Sequence, residues 1–398
     1  MANYTEKPKK RQTASRDIAL DKMDMRSESA PKKKTDKIKG RPKNGFQRFC
    51  IAAFPQTEDS GIEKMRKVVL LAAIVVFVAT IVILLLNLQD FSNARQTNSQ
   101  LADLAGVPQG TIDMDMNYVP FGTTGSGGEP QVDPEEPEEI NVTPVVNTPL
   151  TVDFPALKAV NPDTRAWIKI TGTYVNNVVC QSTDNSYYLN HDFYGSESIS
   201  GTVFASYKNK FDGTDDNIVL YGHNMLDGTF FASLGHYVPN DTSREPVAFY
   251  KVHPTVMLST PNEGCQVYKI FAGCLLNTQE KYGDVLEYVD KTKFKNKDDF
   301  NNFIIDVMDR SWFFTDVDLT YGDQLLTLST CYWPIGKNVD TRWVIFARKV
   351  RPGESEFVDT TVAERNFQAR LFDYYYELIG GQWYGSVWDK SKLKSYDG

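Results

Sequence analysis

The chain has 398 residues, enough for two or three domains, and its 20 tyrosines and 23 phenylalanines suit a folded, β-rich core. Its net charge of −8 combines two unlike parts: residues 1–67 carry 18 Lys and Arg against 9 Asp and Glu, and the rest carries 25 against 42. The sequence has no phosphate-binding loop, dinucleotide fingerprint or folded basic face, which argues against a nucleotide- or nucleic-acid-binding protein.

Residues 1–67 are predicted to be a disordered tail, because they are rich in Lys, Pro, Ser and Asp and lack apolar periodicity. Their basic side chains cluster between positions 32 and 43: Lys32, Lys33, Lys34, Lys37, Lys39, Arg41 and Lys43. Such a cluster suits a solvated tail beside anionic lipid head groups. Nucleic-acid binding is less favoured, since no folding pattern accompanies the charge.

A membrane-spanning helix is predicted over residues 68–88. Val68–Leu86 has no charged residue and one polar residue, Thr80, and at about 1.5 Å per residue it spans roughly 30 Å, the thickness of the hydrocarbon core. A cleaved signal peptide fits less well, because the basic region before this segment is too long. Lys64, Arg66 and Lys67 precede it, so the positive-inside rule predicts a cytoplasmic N-terminus and an extracellular remainder.

Residues 89–150 are predicted to be an acidic linker rich in Pro and Gly. A polar stretch with some helical character leads into glycines and then PQVDPEEPEEINVTP, which cannot bury enough apolar surface to fold. The linker would act as an extended tether.

Residues 151–350 are predicted to form one mainly β domain, a closed barrel or a sandwich. A short helix in FPALKAV is expected to stop at Asn161-Pro162, and a helical insert is expected at Asp298–Arg310. The remaining pattern is short apolar runs bounded by Gly, Pro, Asn or Asp. The predicted strands are 166–170, 174–181, 201–206, 217–221, 246–252, 255–259, 266–275, 324–330 and 342–350.

Residues 351–398 are predicted to be a separate helical extension. Apolar side chains recur at helical spacing until Gly380-Gly381 stops the helix: Ala363, Phe367, Leu371, Tyr374, Tyr375 and Leu378. A helix docked on the barrel is the favoured interpretation, and a role as lid or partner-binding element stays open.

Cys331, His223 and Arg342 are the predicted catalytic residues. Cys331 ends one predicted strand and Arg342 begins the next, so antiparallel pairing places them opposite each other, about 5 Å apart at Cβ. His223 closes an earlier strand in YGHNM. A thiol, an imidazole and a guanidinium supply the nucleophile, the proton shuttle and the oxyanion stabiliser of acyl transfer.

Each of the three residues also has an ordinary structural interpretation: a buried thiol, a core or turn histidine, and a surface ion pair. Their joint occurrence in these contexts favours the catalytic one. The other cysteines and histidines show no metal-binding spacing such as CxxC or HExxH, so no metal and no cofactor are predicted.

TLSTC followed by DTRWVIFAR resembles the signature of sortases, the membrane-anchored cysteine transpeptidases of Gram-positive surfaces. Four further stretches resemble the class B branch: NPDTRAWIKITGT, DNSYYLNHDF, YGHNMLDGTFF and the helical insert. The resemblance covers about 154–350. It implies a sortase-type closed β-barrel with an N-terminal helix and the insert before the last two strands.

By this resemblance, Cys331 attacks the carbonyl of a Thr in a C-terminal sorting motif, and His223 is general acid and then general base. Arg342 steadies the substrate and the oxyanion, joined by the backbone N–H of Tyr332. Ser329, Thr330 and Tyr332 are expected to contact the substrate. The implied partners are secreted surface proteins or pilins with a sorting motif and an amine acceptor such as a lipid-linked peptidoglycan precursor.

The long tail, the acidic linker and the aromatic-rich extension depart from the usual class B outline. They leave open the sorting motif, the acceptor, and whether the enzyme anchors proteins to the cell wall or polymerises pilins. Two further alternatives are a hydrolytic surface cysteine peptidase and a surface scaffold without catalytic activity.

Overall fold

The computed structural model describes residues 44–109, 144–239 and 245–396. The basic cluster of the tail and the PQVDPEEPEE stretch of the predicted linker lie outside these ranges. The described residues divide into two compact units between Phe77 and Val78, and the unit from Val78 onward contains the barrel.

Eight strands form a closed barrel in the second unit. In chain order they are β1 Thr164–Lys169, β2 Asn176–Cys180, β3 Phe204–Ala205, β4 Asn217–Tyr221, β5 Thr255–Thr260, β6 Gly264–Asn277, β8 Leu325–Cys331 and β9 Thr341–Lys349. They are ordered β1-β2-β3-β4-β8-β9-β6-β5, and β5 closes on β1. Two short strands, β7 Phe313–Phe314 and β10 Glu364–Arg365, form a separate small sheet. The predicted closed β-barrel is confirmed.

The described residues contain six α-helices: α1 Gly45–Ala53, α2 Gly61–Ala105, α3 Phe154–Val160, α4 Ala248–Val252, α5 Lys297–Arg310 and α6 Asp373–Ile379. The predicted helix in FPALKAV is α3, and the side chain of Asp153 caps it by accepting from Ala156 N at 2.9 Å. The predicted insert is α5, which precedes the last two barrel strands. Asn296 caps its N-terminus, with a side chain that accepts from Asp299 N at 2.9 Å.

One predicted strand is wrong. The run 246–252 contains the helix α4 instead. Val247 and Tyr250, three positions apart, are both buried in the barrel core. That spacing fits a helical turn, so packing overrides the β preference of the aromatic and branched residues.

Helix α2 contains the predicted membrane span and continues beyond it. Among the described residues, it is the one helix long and apolar enough to cross a membrane. The predicted tether from residue 89 onward is helical as far as Ala105, where Leu101, Ala102 and Ala105 are buried. The first part of the predicted linker is therefore packed structure, because its small apolar residues find a surface on the domain that the local sequence does not reveal.

Part of the predicted disordered tail is also helical. Helix α1 lies within it, and Lys67 Nζ contacts both Asp59 Oδ2, at 2.8 Å, and the carbonyl of Ile51, at 3.0 Å. This lysine ties the start of α2 to the end of α1.

The predicted helix of the extension is confirmed in its last part, where α6 ends at Gly380 as expected, and is wrong before residue 373. Residues 364–365 form β10 on β7, and the predicted apolar face is helical in α6, with Phe367 and Leu378 exposed. Pairing with a distant strand overrides the helical spacing. The extension is anchored on the domain by a few apolar side chains, namely Val358, Ala363, Phe372, Trp388 and Leu393.

Candidate active site

The three predicted catalytic residues lie at one end of three adjacent strands. Strand β8 pairs with β9 in antiparallel register, and Cys331 is directly opposite Arg342, as the spacing predicts. On its other side β8 pairs in parallel with β4, and the last pair is Tyr221 with Ser329. His223 follows β4 by two residues and Cys331 follows Ser329 by two. The order of the strands therefore brings His223, Cys331 and Arg342 to the same edge of the barrel.

Three hydrogen bonds tie the turn containing His223 to β8. Gly222 N donates to the carbonyl of Ser329 at 3.2 Å, and Thr330 Oγ1 donates to the carbonyl of Gly222 at 2.9 Å. Asn224 Nδ2 donates to the carbonyl of Cys331 at 2.9 Å. Position 222 requires glycine, because a Cβ there would lie 2.8 Å from the ring of Phe231. Together these contacts fix the backbone of His223 beside the end of β8, where Cys331 lies.

The ring of His223 is oriented by a backbone carbonyl. Its Nε2 lies 2.7 Å from the oxygen of Leu189. Because a carbonyl oxygen only accepts, Nε2 carries the proton of this bond, and Nδ1 is the basic nitrogen of the neutral ring. Leu189 thus selects the tautomer of His223.

Asp340 holds the guanidinium of Arg342. Nη1 and Nη2 donate to the two carboxylate oxygens, the second at 3.2 Å, and Thr278 Oγ1 donates to Asp340 Oδ2 at 2.7 Å. Burial lowers the pKa of Arg342, but the charges of Cys331 and Asp340 outweigh it, so the net change is upward. Arg342 stays a cation beside the thiol.

The pKa of the Cys331 thiol is raised above its ordinary value. Burial is the largest cause; Arg342 lowers the pKa, and Asp340 adds to the rise. Cys331, His223 and Arg342 are all partly exposed, so none of the three is fully enclosed by the domain. A mostly protonated thiol needs a base to take up its proton, and His223, at the same edge of the barrel, is the candidate for that role.

The sequence matches a Sortase domain family model over residues 168–350. It is 30% identical over 186 residues to sortase B of Listeria monocytogenes, covering 47% of this chain and 70% of that relative. It is also 30% identical over 178 residues to sortase B of Staphylococcus aureus, covering 45% and 67%. The chain belongs to the class B sortases. It is therefore a cysteine transpeptidase.

Solved sortase B structures are also similar. That of Clostridium perfringens is 33% identical, with a TM-score of 0.42, and covers 50% of this chain and 99% of that one. The Staphylococcus aureus sortase B–substrate complex is 28% identical, with a TM-score of 0.42, and covers 50% and 84%.

The sortase site contains a buried tyrosine that the sequence did not indicate. Tyr288 lies between β6 and α5, and its hydroxyl is 2.9 Å from Ser329 Oγ. Burial raises the pKa of Tyr288 to about 12, and it interacts electrostatically with Arg342 and Cys331. No local motif marks this residue, because the connecting segment is irregular. Asn224, in contrast, adjoins His223 and could have been found from that motif.

The predicted substrate contacts stay a prediction, and the structure gives their side chains other partners. Ser329 and Thr330 are each 2% exposed and are bonded to Tyr288 and to Gly222. Tyr332 is 5% exposed and packs against Trp343. Its backbone N–H donates to the carbonyl of Thr341 at 3.2 Å, so in this arrangement it is engaged rather than directed at an oxyanion.

The loop between β8 and β9 is supported from outside the barrel. Tyr282 donates its hydroxyl proton to the carbonyl of Asn338 at 2.9 Å, and its ring lies 5.2 Å from that of Tyr374 in α6. The extension therefore reaches, through Tyr282, the loop that joins Cys331 to Arg342.

Other features lie away from the sortase site. Among the described residues, no three His, Cys, Asp or Glu side chains are grouped to hold a metal ion. The five cysteines are free thiols. A cleft of about 700 Å³ lies at the opposite end of the barrel, where it is lined by Asp216, Gln324 and Lys349.

Proposed function

We propose that this sortase is membrane-anchored, cleaves a C-terminal sorting motif after Thr and transfers the acyl group through a thioester on Cys331 to an amine of a peptidoglycan precursor. The observation that carries the assignment is the strand register that pairs Cys331 with Arg342, with His223 at the end of the adjacent strand. Class B membership supports the reaction type.

The first half-reaction breaks the amide bond after Thr. The thiolate of Cys331 adds to the Thr carbonyl, and the cation of Arg342 offsets the charge that develops on the oxygen. His223 gives its proton to the leaving amine, and the C–N bond breaks to leave a thioester. Asp340 keeps Arg342 in position for this step, since its carboxylate accepts hydrogen bonds from Nη1 and Nη2 of the guanidinium.

The second half-reaction forms a new amide. An incoming amine attacks the thioester, His223 accepts a proton from that amine, and the C–S bond breaks to restore the thiolate of Cys331 beside a protonated His223. Water in place of the amine would give a carboxylic acid, the product of a hydrolytic peptidase. The raised pKa of Cys331 supports a reaction carried by the small fraction of molecules that hold thiolate and imidazolium together.

The anchor is α2, with its N-terminal end in the cytoplasm and the barrel outside the cell. Lys64, Arg66 and Lys67 precede the apolar stretch, and Asp90 follows it. This orientation suits an enzyme whose polypeptide and lipid-linked substrates both arrive at the extracellular face of the cell membrane.

The test uses the full chain in lipid nanodiscs, a library of fluorescent peptides with C-terminal sorting motifs, and several amine acceptors. The wild type should form an amide product when an amine is present, detected by mass spectrometry. Cys331→Ala should abolish the covalent peptide adduct and leave the thermal unfolding midpoint near that of the wild type. Undiminished adduct formation by Cys331→Ala would refute the assignment, and acid as the only product would favour a peptidase.

A further inference from the structure

The membrane-proximal part of α2, residues 90–105, contacts both chain segments that hold His223. One is the turn that carries His223 itself, residues 223–231. The other is the loop 189–201, which begins with the carbonyl that accepts from the ring of His223. We call residues 90–105 the proximal segment.

Arg95 binds the first of these segments. Its Nε lies 2.8 Å from Asp227 Oδ2, and its Nη2 lies 2.6 Å from the carbonyl oxygen of Asp227. Asp227 in turn accepts from Thr229 Oγ1 at 2.6 Å, and Phe231 N closes the turn on the carbonyl of His223 at 3.1 Å. The guanidinium of Arg95 therefore binds the middle of the turn that carries His223.

Asp90 binds the second segment. Its Oδ2 accepts from Ser200 Oγ at 2.8 Å, Ser200 N at 3.2 Å and Ser198 Oγ at 3.3 Å. The next residue, Gly201, lies directly against the 188–189 peptide, where a Cβ would be 2.7 Å from the oxygen of Leu189. That oxygen is the acceptor for His223 Nε2. A continuous series of contacts thus runs from Asp90 to the ring of His223.

The proximal segment is firmly attached to the domain. Leu101, Ala102 and Ala105 are at most 2% exposed and pack in the same apolar cluster as α3. Asn98 Nδ2 donates to the carbonyl of Asn176 at 3.0 Å, and Asn177 donates to Asn98 at 3.1 Å. Its contacts with the His223 segments are therefore made from a fixed base.

We propose that the proximal segment is a positioning element for His223, in which Asp90 and Arg95 are the positioning residues. The helix that leaves the predicted membrane span fixes the ring that moves the protons of the reaction. Small displacements of a proton-transfer group lower the rate of the chemical step more than they lower substrate affinity. This proposal rests on the proposed function, since it assigns His223 the role of acid and base.

The experiment compares four variants of the full chain in nanodiscs: Asp90→Ala, Asp90→Asn, Arg95→Ala and the control Gln96→Ala. Gln96 is exposed on the same helix. Asp90→Ala and Arg95→Ala should lower kcat about tenfold and change KM by about twofold or less, because the chemistry loses orientation while the peptide site is untouched. Asp90→Asn should recover most of the rate, since its amide oxygen accepts from Ser200. Gln96→Ala should match the wild type.

A second measurement does not require turnover. Diethyl pyrocarbonate modifies histidine, and peptide mass spectrometry reports the rate at His223 separately from the other three histidines. The rate at His223 should rise in Asp90→Ala and Arg95→Ala but not in Gln96→Ala. The proposal would be overturned if Asp90→Ala and Arg95→Ala both kept the wild-type kcat and the wild-type rate of modification at His223. If the wild type transfers no acyl group but these modification rates still differ, the proposed function fails and the positioning of the ring stands.

Discussion

Cys331 interacts electrostatically with two side chains of opposite charge, Arg342 and Asp340, which also form an ion pair with each other. Arg342 lowers the pKa of the thiol, whereas burial and Asp340 raise it, and the net effect is a rise. The carboxylate of Asp340 accepts hydrogen bonds from Nη1 and Nη2 of Arg342 and a further one from Thr278. The net effect favours the protonated form of the Cys331 sulfur.

Replacing Arg342 with Gln should slow alkylation of Cys331 by iodoacetamide. The substitution removes the charge that lowers the thiol pKa and leaves Asp340, which raises it, so the pKa moves further up. Only the thiolate reacts, and its fraction at a given pH below the pKa falls about tenfold for each unit of increase. At pH 8 the rate should drop by about threefold or more. Arg342→Lys keeps the charge and is the control; an unchanged rate in Arg342→Gln would contradict the electrostatic account.

The sequence predicted the strand register at the candidate site but not the contacts around it. The register of Cys331 and Arg342 followed from strand period and loop length, and the structure confirms it. Tyr288 could not be predicted, because an irregular connection brings it to Ser329 from 41 positions away. The hold of Leu189 on His223 spans 34 positions and depends on the same kind of long-range packing.

At the level of elements, a buried arginine joins the last barrel strand to the extension. Arg348 in β9 has a side chain that is 1% exposed and bonds to Asp318 and Glu354. Glu354 also accepts from Lys269 of β6 at 2.7 Å. Hydrogen bonds from Arg348, then from Lys269, hold the pKa of Glu354 far below its ordinary value. The chain leaving β9 is thus fastened to two strands at once.

Glu354→Gln should destabilise the domain at neutral pH by about 2 kcal/mol, because a buried arginine loses one of its two anions. The folded-state pKa of Glu354 is depressed, so its contribution is fully present above its unfolded-state pKa of 4.5 and is lost as pH falls below that value. The gap in unfolding midpoint between wild type and variant should therefore narrow from pH 5 towards pH 3. The exposed neighbour Glu356→Gln is the control, and a gap independent of pH would contradict the linkage.

Sequence patterns predicted elements well where local period and burial agree. Helix α5 has its apolar residues at helical spacing, and those residues are buried against β6 and β9. The extension shows the opposite case. Its helical spacing from residue 363 is overridden by the pairing of β10 with β7, a contact over about fifty positions that no local pattern records.

For the whole molecule, the predicted anchor and the catalytic domain share one helix. Arg95 lies seven residues beyond Leu88, which is on the order of 10 Å along a helix axis. The segment that contacts the turn carrying His223 thus begins close to the end of the apolar stretch. The composition of the linker predicts a freely moving tether, whereas its described part keeps the domain a short distance from the end of the apolar stretch.

The orientation of the chain can be tested with a thiol reagent that does not cross membranes. The exposed Phe367 is replaced by Cys, and the native Cys50 reports on the other side of the span. Applied to intact cells, a charged maleimide should label the cysteine introduced by Phe367→Cys and spare Cys50, because the basic residues before the span hold that end inside. Peptide mass spectrometry reads the introduced cysteine separately from the partly exposed Cys265 and Cys331. After permeabilisation both the introduced cysteine and Cys50 should react, which controls for accessibility. Labelling of Cys50 alone in intact cells would contradict the predicted orientation. The active site would then lie in the cytoplasm, where no peptidoglycan amine on the outer surface could reach the thioester.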